Sequence, residues 1–371
     1  MISPFFFSSG EMKQRLARTL ARMAQLELDV LITSNPANVR YLTGFRGEPR
    51  TLFVTASEFL LITHFRTLPW AEAQTNASNP FLEIETSTNP DDLIADRLSE
   101  SSLKIGVDKS LSPVALDQWK HALNSHSVEP CSVIEYVRQF KSPAEITLME
   151  ESQRLNESIL AAVIPKIRPH MTERGVQGLI LSEIAQREAI ERYSFTPIVA
   201  AGLNCWEIHH LSDHTVIGKD QMLLIDLGVM HQGYASDMTR TICLGNATDE
   251  MSDIHNLVSS AMEAAITGAT AGQTNRDIDQ IARNLISNAG YGDFFTHGLG
   301  HQIGLETHDP APSLSQSAPE IPLEPGMAFT IEPGIYLKDK FGVRTEDVIM
   351  ITEDKPKNLT RPSHDLLELS L

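Results

Sequence analysis

Residues 222–228 read MLLIDLG and residues 327–334 read MAFTIEPG. Each is an apolar run closing on one carboxylate, Asp226 or Glu332, and a glycine, and short apolar runs bounded this way read as buried strands. Both are followed by another strand-like stretch with a second carboxylate, Asp237 in SDMTRT and Glu346 in GVRTED. The repetition reads as an internal duplication. Two related halves are therefore expected in the C-terminal part of the chain.

A lone ionised carboxylate inside such a strand costs several kcal/mol unless it is paired or bound to a cation. Arg240 and Arg344 are candidate partners for a single one. Four carboxylates in a duplicated frame, with a glycine-framed histidine between the pairs, favour one shared cation site. That histidine lies in THGLGHQIGLETHD, residues 296–309. Of His297, His301 and His308 only the first two have the spacing that stacks side chains on a helix, and glycine at 298, 300 and 304 argues against a helix there. The stretch reads as a tight loop that aims imidazoles at one place.

Four carboxylates and one imidazole form a hard, oxygen-rich ligand set with more negative charge than one divalent ion needs. Bridging carboxylates would place two ions roughly 3.5–4 Å apart, lower the pKa of a bound water towards about 7 and polarise a scissile carbonyl. The spacing thus predicts a two-metal hydrolytic centre.

Outward from these strands, Ser142 before Pro143, with Glu145 three residues on, forms a capping box that starts a long helix to about Ile164. A second helix is expected from Thr172 to about Arg192, strands at Thr196–Ala201, Met222–Leu227 and Met238–Leu244, then helices from Asp249 to Thr267 and from Thr274. Before the capping box, apolar spacing predicts an amphipathic helix over Glu11–Glu27. Strands are expected at Val30–Thr33, Thr51–Val54, Phe59–Thr63 and Lys104–Asp108, with an Asn-Pro turn and a second apolar piece after the first. Helical patches fall near Pro69–Ala77, Asp91–Ser99 and Pro113–Leu123. The fold class is therefore α/β (α+β), with an N-terminal α/β domain over 1–135 and a catalytic domain over 136–371.

The 371 residues suit two domains. With 30 basic against 48 acidic residues the net charge is −18, which argues against nucleic acid or an anionic membrane as partner. Cys131, Cys205 and Cys243 are odd in number and without a CxxC pair, which fits a reducing cytoplasm. The apolar Phe5-Phe6-Phe7 is shorter than a signal-peptide core, and a cytoplasmic protein is expected.

The order Asp226, Asp237, His301, Glu332, Glu346, in the contexts IDLG, SDMTRT, HGLGHQIGLETHD, IEPG and GVRTED, resembles the M24 metallopeptidase family of Xaa-Pro aminopeptidase, Xaa-Pro dipeptidase (prolidase) and methionine aminopeptidase. LDVLITSNPANVRYLTGF and VRQFKSPAEI are similar to the creatinase-type N-terminal domain and linker of its proline-specific branch. The resemblance implies a pita-bread catalytic domain with pseudo-twofold halves and a homodimer. It implies that Asp226, Asp237, His301, Glu332 and Glu346 bind two divalent ions, Mn2+ first and Co2+, Zn2+ or Fe2+ as alternatives, with Asp237 and Glu346 bridging. It also implies that Glu332 is the acid/base, that His209 contacts substrate and oxyanion, that His297 and His308 are further active-site histidines, and that Tyr336 and Arg344 bind substrate. The implied reaction is hydrolysis, by a metal-bridging hydroxide, of the bond between an N-terminal residue and a following proline.

Cys205-Trp206-Glu207-Ile208 before His209, and His64-Phe65-Arg66 in the N-terminal domain, depart from the family pattern. Trp206 and Glu207 are expected to reshape the mouth of the pocket. His210 and His214 read as solvated neighbours of His209, and His231 and His255 as surface residues. Hydrolysis of a small non-peptide amide, as in creatinase or ectoine hydrolase relatives, is the alternative enzyme reading. A non-catalytic peptide-binding relative is the alternative from another class, and the complete ligand set speaks against it.

Overall fold

The computed structural model describes residues 7–98, 102–361 and 363–369, so Phe5, Phe6 and Ser99 lie outside the described residues. The chain divides into two compact units, Pro4–Arg138 and Gln139–Leu371.

In the first unit the amphipathic stretch forms α1 (Ser9–Gln25), whose first turn is capped by the Ser8 hydroxyl accepting from the Glu11 amide. Then follow β1 (Val30–Thr33), α2 (Pro36–Thr43), β2 (Arg50–Val54), β3 (Phe59–Thr63), α3 (Leu68–Thr75), β4 (Glu83–Thr86), α4 (Pro90–Arg97), β5 (Lys104–Asp108), α5 (Pro113–Ala122), β6 (Ser127–Cys131) and α6 (Val133–Arg138). The apolar piece after the Asn-Pro turn is α2: Asn35 caps it and Gly44, at φ 80°, ends it. The six strands form one mixed sheet in the order β4-β3-β2-β1-β5-β6. The sequence misses the two edge strands because EIET and SVEPC carry no buried residue, so neither shows an apolar run. Val30, Ile32, Phe53, Leu60, Ile62, Ile105 and Val107 form the core beneath the sheet.

The second unit shows the duplication. Its first half has α7 (Pro143–Val163), opened by the Ser142–Glu145 capping box, α8 (Glu173–Ala185), β7 (Arg192–Tyr193), β8 (Ile198–Ala201), β9 (Gln221–Leu227), β10 (Val229–His231), β11 (Tyr234–Ala235) and β12 (Met238–Leu244). The second half has α9 (Asp249–Gly268), α10 (Asn275–Asn288), β13 (Ala328–Ile331), β14 (Gly334–Leu337), β15 (Phe341–Arg344) and β16 (Asp347–Met350). In each half two helices precede an antiparallel strand pair, β9–β12 or β13–β16. One core joins α7 and α8 to β9 and β12, and another joins α9 and α10 to β13–β16. The repeated order of two helices and an antiparallel strand pair is the internal duplication expected from the sequence.

One helix boundary differs from the expectation. The second helix stops at Ala185 rather than Arg192, because Arg192 and Tyr193 pair with Met230 and Val229 of β10. Ladder hydrogen bonds from a distant strand override a local preference for helix. Among the described residues no helix is long and apolar enough to cross a membrane.

Candidate metal centre

Asp226 lies in β9 opposite Thr239 of β12, and Asp237 stands just before β12. In the second half Ile331 pairs with Asp347, so Glu332 and Glu346 extend the same register by one step. Because alternate strand residues share a face, Thr239 and Thr330 sit two residues from Asp237 and Glu332 and point the same way. Their hydroxyls serve the site: Thr239 Oγ1 donates to Glu346 Oε2 at 2.7 Å and Thr330 Oγ1 to Glu332 Oε1 at 3.2 Å. These two threonines were not singled out from the sequence, although period-2 spacing from each carboxylate is a readable signal.

His301 reaches the same place from the glycine loop, which is irregular as expected. Gly300 lies so close to β13 that a Cβ there would fall 2.0 Å from the Thr330 carbonyl oxygen. That approach lets the His301 amide donate to Thr330 Oγ1 and the Thr330 amide donate to the His301 carbonyl, both at 2.9 Å. With His301 Nδ1 at 3.2 Å from the Gln302 carbonyl, Nε2 is left facing the carboxylates. It lies 3.5 Å from Glu332 Oε1 and 3.7 Å from Asp237 Oδ2. Asp237, His301 and Glu346 each bring a ligand atom within 4.8 Å of the others.

Burial pushes all four carboxyls upward, Glu332 to about 7. For Asp237 and Glu346 the neighbouring carboxylates add to the rise; for Asp226 the Arg344 guanidinium opposes it. Burial likewise drives His301 down to about 3 and His297 to about 4, so both are neutral and fit to accept or ligate. Arg344 donates from Nη2 to Asp226 Oδ2 at 2.7 Å, from Nε to Thr239 Oγ1 and from Nη1 to the Tyr336 hydroxyl. That hydroxyl in turn meets His297 Nε2 at 2.9 Å. One guanidinium does not balance three buried carboxylates and the half-buried Glu332. Among the described residues Asp226 Oδ1 is also buried without a hydrogen-bond partner. The donor set and the orphaned oxygen fit divalent cations.

These groups border a cavity of about 560 Å3. Asp226, Asp237, His301, Glu332, Glu346 and Arg344 share its wall with His209, His308 and the apolar Phe195, Pro197, Ile208 and Leu211. His308 stands edge-on to His301, with ring centroids 3.9 Å apart. Tyr336 and His297 connect to the wall through Arg344.

Residues 147–353 match the model of metallopeptidase family M24, and residues 15–140 match the creatinase/prolidase N-terminal domain. The chain belongs to family M24. It is 32% identical over 352 residues to the Xaa-Pro dipeptidase of Lactobacillus delbrueckii subsp. lactis, covering 91% of this chain and 94% of that one. The solved Xaa-Pro dipeptidase from Bacillus anthracis superposes with TM-score 0.90 at 29% identity, over 96% of this chain and 100% of that one. The X-Pro aminopeptidase of Thermotoga maritima MSB8 gives TM-score 0.86 at 27% identity, over 95% and 99%.

Several histidines of this M24 chain are not where the sequence puts them. His210 is buried between Glu173 and Glu207 rather than solvated, whereas His214 is exposed. His231 is buried, with Nδ1 at the Ala189 carbonyl and Nε2 at Glu151. His255 is only 2% exposed and pushed by burial to about 4. Arg240 pairs with Asp347 rather than with a candidate ligand carboxylate. Trp206 stacks under the Lys338 ammonium and Glu207 turns to His210, so neither side chain forms the cavity wall.

Proposed function

We propose that the chain is a dinuclear metal-dependent exopeptidase that hydrolyses the bond between an N-terminal residue and a following proline, acting as an Xaa-Pro dipeptidase. The convergence of four carboxylates and one neutral imidazole on a single cavity, with Asp226 Oδ1 lacking a hydrogen-bond partner among the described residues, carries the proposal. Asp226, Asp237, His301, Glu332 and Glu346 would hold two divalent ions, Mn2+ by preference. Such ions supply a water of lowered pKa and polarise the scissile carbonyl.

The remaining work falls to the chain. Glu332, beside both the His301 imidazole and the cavity, takes a proton from the attacking water at Oε1 and returns it to the proline nitrogen as the bond breaks. His209 and His308 border the cavity and donate to the oxygen that gains charge. Arg344, through Asp226 and Tyr336, holds a ligand and His297 in fixed positions. Phe195, Pro197 and Ile208 offer an apolar wall to a pyrrolidine ring. An Xaa-Pro bond has no N–H for a strand-like ladder to grip, so a shaped apolar wall is the means of recognition.

The dipeptidase names of the Lactobacillus and Bacillus relatives support a dipeptide substrate, and a cytoplasmic homodimer completes the proposal. A manganese- and cobalt-supplemented assay comparing Ala-Pro, Ala-Pro-Ala and Ala-Ala tests it. Ala-Pro alone should be cleaved. Cleavage of the tripeptide would favour an aminopeptidase, and cleavage of Ala-Ala alone would refute proline recognition. Elemental analysis that finds no divalent ion would sink the dinuclear centre.

A further inference from the structure

His209 and His210 both border the cavity, and His210 is the more enclosed of the two, being buried. The His210 ring is held between two carboxylates, Nε2 at 2.7 Å from Glu173 Oε2 and Nδ1 at 2.7 Å from Glu207 Oε2. A neutral imidazole has one N–H, so a ring that meets acceptors on both nitrogens is the protonated form. Burial alone would push His210 down, but its bonds to Glu207 and Glu173 outweigh it and leave the group above its usual value.

Glu173 is the first residue of α8 and is fully buried, where the helix N-terminus favours an anion. Its Oε1 accepts from the Ala201 amide and the Asn204 side chain, and its Oε2 accepts from His210 and the Asp213 amide. One carboxylate therefore ties together the start, middle and end of the segment 201–213. The same segment contributes Ile208, His209, His210, Leu211 and Ser212 to the cavity wall.

Glu173, His210 and Asp213 could be taken for a second metal site by their proximity. Each Glu173 oxygen already accepts two hydrogen bonds, and Asp213 Oδ1 accepts from the Thr215 amide, so the cluster is closed as a hydrogen-bond network. The groups facing His210 are Glu173 from α8, Glu207 and Asp213 from the segment itself, and the Asn204 amide at 3.4 Å.

We propose that Glu173 and Glu207, acting through His210, are positioning residues that latch segment 201–213 so that His209 and the apolar wall meet the substrate. The latch requires two N–H groups. Loss of one proton leaves a lone pair facing a carboxylate, one strap opens, and the segment loosens. Its effect on turnover rests on the peptidase function proposed above, while the latch itself can be read without turnover.

The test uses the full chain loaded with Mn2+ and the variant Glu207→Gln. Glu207 has a side chain 47% exposed, so the change leaves the core intact. Two quantities are read: kcat/KM for Ala-Pro against pH, and amide hydrogen exchange of 202–213 at fixed pH, with 249–268 as internal control. Expected are an alkaline fall in kcat/KM displaced by about one pH unit to lower pH and exchange of 202–213 faster by roughly 5–10-fold, with 249–268 unchanged. Glu173→Gln should give the same pattern more strongly, and His210→Gln should remove the displaced limb altogether. A Glu207→Gln protein with the wild-type pH profile and wild-type exchange overturns the latch. A wild-type chain inactive on Ala-Pro would count against the function instead, and the exchange rates would still decide the latch.

Discussion

Arg344 and Asp226 lie 2.7 Å apart, both almost fully buried, at the point where the two halves of the catalytic unit face the cavity. Arg344 comes from β15 of the second half and Asp226 from β9 of the first. The pair closes a cluster in which carboxylates outnumber guanidinium four to one, so in the metal-free protein this cation offsets much of the mutual repulsion. Breaking a buried pair by removing one partner costs about 3–5 kcal/mol. Arg344→Ala should therefore lower the unfolding temperature of the metal-free protein sharply, with Mn2+ restoring part of the loss. Arg344→Lys should recover little, because an ammonium cannot serve Asp226, Thr239 and Tyr336 together as the planar fork does. Calorimetry with and without Mn2+ checks both; an unchanged transition in Arg344→Ala would show that the pair is dispensable.

Gly300 sets the distance between the histidine loop and β13. A methyl group at Gly300 would meet the Thr330 carbonyl oxygen at 2.0 Å, so the loop must retreat and carry His301 with it. A displacement near 1 Å costs on the order of 100-fold in rate. Gly300→Ala should reduce kcat/KM by about that factor and weaken Mn2+ binding measured by titration calorimetry, while circular dichroism stays unchanged. Wild-type metal affinity in this variant would refute the packing role.

Asp237→Asn separates charge from shape. The Asp237 carboxyl is pushed up first by burial and then by Glu346, Asp226 and Glu332, so removing its charge relieves repulsion in the metal-free state. The variant should melt higher than wild type without metal, yet lose turnover by on the order of 100-fold or more because a ligand is gone. His301→Ala should lose turnover to the same extent without the gain in stability. Retained activity in either would place the metal centre elsewhere.

The halves of the catalytic unit are legible in the sequence because Asp226 and Glu332 each end an apolar run, where a charge stands out against its cost of burial. His301 is legible because glycine at 298, 300 and 304 excludes a helix and leaves only a reason for close approach. The burial of His210, His231 and His255 is not. His210 owes its place to Glu173, 37 residues away, and His231 to Glu151, 80 residues away. No local pattern announces such partners. β4 and β6 escape for a related reason: edge strands satisfy one side of their backbone with a neighbour and leave their side chains partly in water, so neither apolar alternation nor an apolar run marks them.

The pH dependence of the metal-free protein follows from Glu332. Its folded value, about 7, lies above the ordinary glutamate value because burial disfavours the charge. The folded state therefore binds this proton more tightly than the unfolded chain does. That stability is fully present below the ordinary value of about 4.3 and is lost as pH rises through about 7. His255 tilts the other way: depressed to about 4, it remains neutral when folded and costs stability as pH falls below about 6.5. The two effects overlap between pH 4 and 7, so wild type must be compared with Glu332→Gln, which removes one and keeps the other. In metal-free protein the unfolding temperature of wild type relative to Glu332→Gln should fall steadily from pH 4.5 to 7.5. Saturating Mn2+ should reverse that difference at neutral pH, since the ion binds the ionised carboxylates and stabilises the folded state by mass action. A metal-free difference that is flat or rises over this window would show that Glu332 ionises near its ordinary value, and with it that the site is more solvated than its geometry implies.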